Sequence, residues 1–159
     1  MDWSANMDLE RWWVKPSIPA LLPNSLRATP DDYRGCLLGG AIGDALGRPM
    51  EGKSLERIRS IFPGEVREFI PHRRWMGGPE GTFTDDTEMT LCIAESYLEN
   101  GRLVPEDLSM RFGAWELVGR GRGHTCIAAC ENLRRGLPWY ESGVSSAGNG
   151  AAMRAAPVG

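Results

Sequence analysis

The apolar residues of this chain recur at the three- and four-residue spacing of a helix, and no segment alternates apolar and polar side chains as a strand does. The clearest stripe follows Thr84 and comprises Met89, Cys92, Ile93, Ser96 and Tyr97. Asn100-Gly101 then supplies a stop, because glycine readily adopts the left-handed conformation that ends helices. The pattern predicts a helix over about Asp86 to Glu99.

Four further segments carry start and stop signals of helices. Thr29 can cap a helix that has Pro30 and two acids in its first turn and that should run to about Leu46. The others are predicted at Leu55 to Phe62 after the cap Ser54, at Pro105 to Leu117, and at Cys126 to Arg134 between the cap Thr125 and Gly136. Without a strand pattern or an internal repeat, these segments predict an all-α bundle.

The bulk composition is typical of a globular domain. The chain has 159 residues, 42% of them hydrophobic and 25% charged, which is enough for one domain with a core. A net charge of −3 gives no reason to expect a nucleic-acid partner, and the basic pairs Arg120 with Arg122 and Arg134 with Arg135 are more typical of solvated helix ends than of phosphate sites. No leader opens the chain and no apolar run approaches the roughly 18 residues of a membrane span, so we expect a cytoplasmic protein without a membrane partner.

The first 29 residues differ from the rest of the chain. Trp3, Trp12 and Trp13 precede a stretch with several prolines, which predicts an appended arm over residues 1–29 that packs its aromatic side chains on the body or on a partner. Residues 30–159 form the predicted body. Within it, Trp75 is the expected anchor of a loop rich in Gly and Pro.

All four cysteines fall on predicted helices, at Cys36, Cys92, Cys126 and Cys130. Small apolar side chains suit such positions, so we expect reduced core residues. Cys126 and Cys130 lie one turn apart, but His124 is the only other suitable ligand nearby, and a thiolate metal site is therefore not favoured.

Thr84, Asp85 and Asp86 place neighbouring oxygen atoms where a loop becomes a helix. From Gly81 to Asn100 the chain has no Lys or Arg to neutralise them. Hard cations such as Mg²⁺ prefer these donors, and only an irregular junction lets consecutive side chains converge on one ion. The same residues also suit a helix cap with acids in the first turn, so the motif alone leaves both interpretations open.

The first predicted helix carries an unusual glycine face. Gly39, Gly40 and Gly43 each cost about 1 kcal/mol of helix propensity relative to Ala. Close approach of another helix or of a ligand to the bare backbone would offset that cost. Asp44 shares this face, and because an unpaired buried carboxylate is costly, we expect it to be paired or functional.

Small residues also dominate the segment from Ser145 to Arg154, which has the pattern of a loop that leads into a helix. Accessible backbone N–H groups at a helix start favour phosphate oxygens, so an anionic ligand is one interpretation. A flexible turn is the other.

Four segments taken in order carry a resemblance. They are Arg34–Gly47, Thr84–Met89, Arg122–Thr125 and Gly148–Pro157. Together they resemble the ADP-ribosylglycohydrolase family, which includes the dinitrogenase reductase-activating glycohydrolases, and the similarity runs from about Asp31 to Gly159. One such motif could occur by chance, whereas four in sequence make the match specific.

The resemblance implies an all-α fold of orthogonally packed helices and a binuclear Mg²⁺ or Mn²⁺ centre that hydrolyses the glycosidic bond of an ADP-ribosyl group. By matching position, Thr84, Asp85 and Asp86 are the expected metal ligands, and both aspartates are expected to be catalytic. Glu51 matches a glutamate on a mobile flap, with an acid/base or water-positioning role, although an exposed loop carboxylate is its alternative. The expected contacts to ADP-ribose or an ADP-ribosylated substrate are Asp44, Ser146, Gly148, Asn149 and Gly150.

The chain departs from the family in its length. Family members are considerably longer and carry a second Asp-x-Asp-Thr or Asp-x-Asp-Ser cluster near the C-terminus, whereas this sequence stops at Gly159. We therefore expect the N-terminal part of such a domain, incomplete at its C-terminus and inactive or poorly folded alone. A non-catalytic ADP-ribose-binding or structural relative and an unrelated helical interaction module stay open as alternatives.

Overall fold

The computed structural model describes residues 28–70 and 79–158. The chain divides into two compact units, residues 1–33 and residues 34–159. Of the first unit the structure describes residues 28–33, so the predicted arm lies almost wholly outside the described residues. The predicted anchor Trp75 lies outside them as well.

The described chain is all-α, which confirms the fold class predicted from its periodicity. Its five helices are α1 (Pro30–Gly47), α2 (Leu55–Ile61), α3 (Asp85–Asn100), α4 (Pro105–Trp115) and α5 (His124–Arg134), with 3₁₀ turns at Arg48–Met50 and Ala156–Val158. No strand occurs within residues 28–70 or 79–158. Over the same ranges, no helix combines the length and the hydropathy that crossing a membrane requires.

Three of the predicted helix ends depend on local chemistry and are confirmed. Thr29 and Asp32 cap α1 reciprocally, since the Thr29 N–H donates to Asp32 Oδ2 over 2.7 Å and the Asp32 N–H donates to Thr29 Oγ1 over 3.3 Å. Ser54 Oγ accepts the Arg57 N–H at the start of α2, over 3.2 Å. Gly101 ends α3 in the left-handed conformation, with φ of 65°.

The predicted end of α4 at Leu117 is wrong, because the helix stops at Trp115. The chain then turns, and the Gly119 N–H donates to the Trp115 carbonyl over 2.8 Å. A Cβ on Gly119 would lie 2.3 Å from the Trp115 ring. The turn therefore requires glycine under the indole of Trp115, a contact between residues four apart that helix periodicity does not encode.

The predicted cap of α5 at Thr125 is also wrong. The helix begins at His124, with Gly123 at the N-cap position and no side-chain cap. The Thr125 hydroxyl instead accepts the Ser146 hydroxyl over 3.4 Å. The Thr125 hydroxyl therefore bonds a residue distant in sequence and does not cap the helix.

The core lies between α3, α4 and α5. Of these, α4 and α5 form the most extensive pair, and α3 packs on α4 and on the Ala156–Val158 turn. The buried apolar cluster consists of Met89, Ile93, Phe112, Trp115 and Cys130. Tyr97, which ends the predicted stripe, is 42% exposed, so the buried face of α3 is shorter than its sequence pattern.

Ion pairs join the same three helices. At the C-terminal end of α3, Arg111 of α4 lies 2.5 Å from Glu99 and 2.8 Å from Asp107. Arg134 of α5 lies 3.0 Å from Glu116. These basic side chains therefore form ion pairs between helices and, for Arg111 with Asp107, along α4.

The glycine face of α1 has no helix packed closely against it in the described part of the chain. No described atom lies within 4 Å of a Cβ built on Gly39, Gly40 or Gly43. Leu38 is 63% exposed and Ile42 is 49% exposed on the same helix. Of the two reasons expected for the glycines, close helix packing does not occur among the described residues, which leave open space beside the glycines.

All four cysteines are free thiols on helices, but they do not all belong to the core. Cys130 is buried, Cys92 and Cys126 are half-buried, and Cys36 is exposed. Burial raises the pKa of the Cys130 thiol to about 11 and also raises the pKa of Cys126. The prediction of a core position is therefore wrong for Cys36, which lies on α1, the helix with little packing.

Candidate functional site

A cavity of about 690 Å³ brings together segments that are distant in sequence. Its walls are the glycine face of α1, the turn after that helix, the start of α3, and loops near Gly123 and Gly150. Eight of the predicted site residues line it, namely Asp44, Glu51, Thr84, Asp85, Asp86, Gly148, Asn149 and Gly150. Ser146 is not part of the lining.

Asp44 of α1 caps α3 from outside that helix. Its Oδ2 accepts the backbone N–H of Thr84 over 2.8 Å and that of Thr87 over 3.2 Å. Its two carboxylate oxygens also accept the hydroxyl groups of the same threonines, each over 2.6 Å. A carboxylate here satisfies otherwise unpaired N–H groups and complements the helix dipole. Asp44 is therefore paired, and it fills the capping role that the sequence also allowed for Thr84, whose own side chain makes no cap.

The three adjacent residues at the start of α3 face inward. Thr84 and Asp85 are buried, with 5% and 8% of their surface exposed, and Asp86 is half-buried. Within the described chain, no Lys or Arg forms an ion pair with either aspartate. Two neighbouring carboxylates thus border the cavity, and neither has a basic partner in the part of the chain that the structure describes.

This arrangement makes both aspartates harder to ionise. Burial first, and then the charge of Asp86, raise the pKa of Asp85 from 3.8 to about 6, while hydrogen bonds from its own backbone and that of Gly123 lower it. Burial and the charge of Asp44 raise the pKa of Asp86. A bound cation or proton would relieve this concentration of negative charge.

Glu51 lies near the two aspartates. It follows the Arg48–Met50 turn, is exposed, and lines the cavity. Its charge contributes to the raised pKa of both Asp85 and Asp86. Glu51 is thus an exposed loop carboxylate, as one interpretation of the sequence predicts. It also lies beside the acidic cluster formed by Asp85 and Asp86.

The hydroxyl oxygen of Thr84 and the carboxylate oxygens of Asp85 and Asp86 are the type of ligand that a hard divalent cation prefers. Within residues 28–70 and 79–158, however, no group of three or more His, Cys, Asp or Glu side chains is arranged to hold a metal ion. Mg²⁺ commonly uses one or two protein carboxylates and keeps several waters, so Asp85 and Asp86 fit as a small protein share of its ligands. The Thr84 hydroxyl donates its proton to Asp44 and keeps lone pairs for a cation.

The glycine-rich segment near the end of the chain forms turns, and the helix predicted to follow it is absent from the described residues. The Met153 N–H donates to the Asn149 carbonyl over 2.9 Å, which closes a single turn that does not continue. The Gly148 N–H donates to Ser146 Oγ over 3.0 Å. Ser146 therefore shapes this loop from outside the cavity, while the residues after it line the wall.

Sequence reasoning missed the loop that supports the acidic cluster. Glu88 Oε2 accepts Trp115 Nε1 and the Arg120 N–H, each over 2.8 Å, and Arg120 Nε donates to Glu88 Oε1 over 2.5 Å. Gly121 follows with φ of 66°, and a Cβ on it would lie 2.7 Å from Thr84 Cβ. The alternation of Arg and Gly in this loop is the available signal. Arg122–Thr125 contributes to the family resemblance and the charges of Arg120 and Arg122 are typical of a helix end, but neither pattern predicts the contact with Thr84.

Arg48 was also missed. It lines the cavity, is 8% exposed, and its Nη1 has no hydrogen-bond partner among the residues that the structure describes. An arginine before a proline reads as a solvated turn residue, so its sequence context gave no signal of burial.

Comparison with known proteins agrees with the motifs. The family model described as ADP-ribosylglycohydrolase matches residues 25–159. An uncharacterized protein of Archaeoglobus fulgidus is 44% identical over 131 residues, which cover 81% of this chain and 42% of that protein. The ADP-ribosyl-[dinitrogen reductase] glycohydrolase of Rhodospirillum rubrum is 35% identical over 80% of this chain and 44% of its own length.

A third relative is the ADP-ribosylarginine hydrolase Tri1 of Serratia proteamaculans, 35% identical over 88% of this chain and 38% of its own length. The chain thus spans about two fifths of the length of these curated relatives. The matched residues contain every segment that lines the cavity. The chain belongs to the ADP-ribosylglycohydrolase family.

Proposed function

We propose that this chain forms part of a metal-dependent hydrolase that cleaves the glycosidic bond of an ADP-ribosyl group on a protein side chain or a small molecule. The observation that carries the proposal is the pair Asp85 and Asp86, which borders the cavity without a basic partner in the described chain. Two relatives, named as an ADP-ribosylarginine hydrolase and an ADP-ribosyl-[dinitrogen reductase] glycohydrolase, support the substrate class.

In this proposal Thr84, Asp85 and Asp86 are ligands from this chain to a binuclear Mg²⁺ or Mn²⁺ centre. When bound, such ions polarise a water molecule and orient hydroxyl groups of the sugar. Asp44 does not bind the ions directly but holds the Thr84 hydroxyl and the first N–H groups of α3 in place. Asp44 also lines the cavity, so its remaining surface is available to the substrate.

Glu51 is the proposed acid/base or water-positioning group. Its exposure lets it exchange protons with solvent, and its charge already acts on both aspartates. As the glycosidic bond breaks, the sugar gains oxocarbenium character, which nearby carboxylates stabilise.

The turn at residues 148–150 is the proposed contact for the pyrophosphate and the adjoining ribose. Because the Gly148 N–H is donated to Ser146, the backbone contacts to phosphate oxygens are assigned to Asn149 and Gly150. Ser146 contributes by fixing the turn. A Cβ on Gly150 would lie 2.9 Å from Cys126 Sγ, so a larger residue there would displace the Cys126 side chain.

Calorimetric titration of ADP-ribose, with and without Mg²⁺ or Mn²⁺, tests the proposal on the chain as it exists. We expect binding that strengthens at least tenfold with the metal and loses that gain in Asp85→Ala and in Asp86→Ala. Binding that neither metal nor these substitutions change would reject the metal centre.

A non-catalytic ADP-ribose-binding relative is the second candidate. It is favoured by the lack, in residues 28–70 and 79–158, of a cluster of three or more potential metal ligands. This candidate predicts that ADP-ribose binds equally well with EDTA present, and that Asn149→Ala weakens binding while Asp86→Ala does not.

A further inference from the structure

Glu88 lies in the first turn of α3 but does not line the cavity. Its side chain is 16% exposed and accepts three hydrogen bonds, one from the Trp115 indole and two from Arg120. Both donors belong to the end of α4 and the loop after it, residues 116–123. One carboxylate therefore fastens the α4–α5 loop to the start of α3.

The α4–α5 loop, which Glu88 holds in place, packs against Thr84 and Asp85. A Cβ on Gly121 would lie 2.7 Å from Thr84 Cβ and 3.1 Å from Asp85 Oδ1. The backbone of Gly123 donates a hydrogen bond that lowers the pKa of Asp85. The Arg120 guanidinium lies over the Phe83 ring, 4.4 Å from its centroid. The loop thus contacts three consecutive residues at the start of α3, Phe83, Thr84 and Asp85.

Thr84 and Asp85 are consequently held from two sides. Asp44 of α1 accepts hydrogen bonds from Thr84, and the loop fixed by Glu88 packs against Thr84 and Asp85. We propose that Glu88 is a positioning residue: through the α4–α5 loop it fixes where Thr84 and Asp85 lie and thereby sets the affinity of this junction for a divalent cation. The binding of a divalent cation here rests on the proposed function, whereas the fixed positions of Thr84 and Asp85 do not.

A matched comparison within the chain separates positioning from general stabilisation. Asp107 also joins α3 to α4 and is 21% exposed, but it does so at the far end of α3, through Arg111 and Asn100. Loss of either carboxylate removes charged hydrogen bonds and lowers stability. Of the two losses, only that of Glu88 releases the α4–α5 loop from the start of α3.

The first experiment titrates Mn²⁺ and measures the free ion by electron paramagnetic resonance. We expect Glu88→Gln to weaken Mn²⁺ binding about tenfold and Asp107→Asn to change it less than twofold, although both variants melt at lower temperatures. Equal effects of the two variants on Mn²⁺ affinity would overturn the proposal.

A second pair of variants approaches the same contact from the loop. Gly121→Ala adds a methyl group that meets Thr84, while Gly101→Ala adds one at the end of α3, where φ is 65° and no described atom lies within 4 Å. Both substitutions strain a left-handed backbone equally. We expect at least a tenfold loss of Mn²⁺ affinity for Gly121→Ala and less than a twofold loss for Gly101→Ala.

A metal-free measurement keeps this inference separate from the proposed function. Amide hydrogen exchange at Thr84 and Thr87 reports directly on the bonds to Asp44. With EDTA present, we expect Glu88→Gln and Gly121→Ala to accelerate exchange at these amides at least fivefold relative to amides near Gly101. If the unaltered chain takes up no Mn²⁺, the metal centre fails and the exchange rates alone decide. Unchanged exchange at both amides would overturn the role of Glu88.

Discussion

Asp44 concentrates more polar contacts than any other side chain that we place at the cavity. Asp44→Ala leaves two backbone N–H groups and two hydroxyl groups at the start of α3 without an acceptor. We expect a loss of about 2 to 3 kcal/mol in the free energy of unfolding, measured by urea denaturation. Asp44→Asn should lose less, since an amide oxygen still accepts. An equal loss for Asp32→Ala, which removes only a local cap of α1, would contradict this assignment.

The raised pKa of Asp85 predicts a stability that depends on pH in the opposite sense to most carboxylates. The folded chain keeps the proton up to about pH 6 and the unfolded chain only to 3.8, so stability falls as pH rises between these values. Asp85→Asn removes that cost and should stabilise the metal-free chain by about 1 to 2 kcal/mol at pH 7, with no gain below pH 4.

Asp32 supplies the control for this pH dependence. The hydrogen bonds of its carboxylate to the backbone and hydroxyl of Thr29 lower its pKa, so it adds stability that is lost as pH falls through its folded pKa. Asp32→Asn should therefore destabilise the chain at pH 7 and have no effect under strong acid. Thermal melts from pH 3 to 8 would show the two variants with opposite signs.

Arg48 carries a buried donor that has no partner within residues 28–70 and 79–158, and an unpaired buried donor is costly in a folded chain. Arg48→Met keeps a similar length and removes the unsatisfied group, so we expect it to raise the free energy of unfolding by about 1 kcal/mol. Arg57→Met, on an exposed face of α2, should change it by less than about 0.5 kcal/mol. A clear loss of stability in Arg48→Met would show that the guanidinium has an unrecognised partner.

At the scale of elements, the sequence was sufficient wherever a helix end depends on its own neighbours. Ser54 caps α2 and Gly101 ends α3 as their local patterns predicted. The differences at Trp115 and Thr125 arise where a side chain at the helix end is held by a residue distant in sequence, the Trp115 indole by Glu88 and the Thr125 hydroxyl by Ser146. Local propensity cannot encode such contacts, because they exist only after the helices have packed.

This contrast between helix ends can be measured directly. Ser54→Ala removes an acceptor used by the first turn of α2 and should cost that helix about 1 kcal/mol, seen as faster amide exchange over Leu55–Ile61. Thr125→Ala removes no cap of α5, so amide exchange over His124–Arg134 should stay within about twofold of the unaltered chain. Comparable acceleration in both helices would contradict the cap assignments.

The same contrast between local patterns and contacts distant in sequence applies to the residues of the candidate site. The acidic cluster and Asp44 could be singled out because carboxylates beside threonines and glycines are chemically unusual in a helical chain. Glu88 and Gly121 could not, since their importance comes from contacts across some thirty residues of sequence, such as Trp115 Nε1 to Glu88 Oε2. Residues that carry chemistry leave a signature in sequence, whereas residues that hold them in place often do not.

At the scale of the whole molecule, the helices differ in how firmly they are held. The buried apolar cluster belongs to α3, α4 and α5, while α1 and α2 share no extensive contact with another described helix. We therefore expect amides of α1 before Asp44 to exchange at least a hundredfold faster than those around Ile93. A single cooperative transition by circular dichroism, with uniform protection in all five helices, would contradict this.

The uneven burial of the thiols has a practical consequence for studying the cavity. Cys36 is exposed and lines the wall formed by α1, whereas burial raises the pKa of Cys92, Cys126 and Cys130 and leaves little thiolate at neutral pH. A maleimide dye should consequently label Cys36 first, without prior mutagenesis. The chain thus carries a native attachment point at the cavity from which the binding of added ligands could be followed by fluorescence.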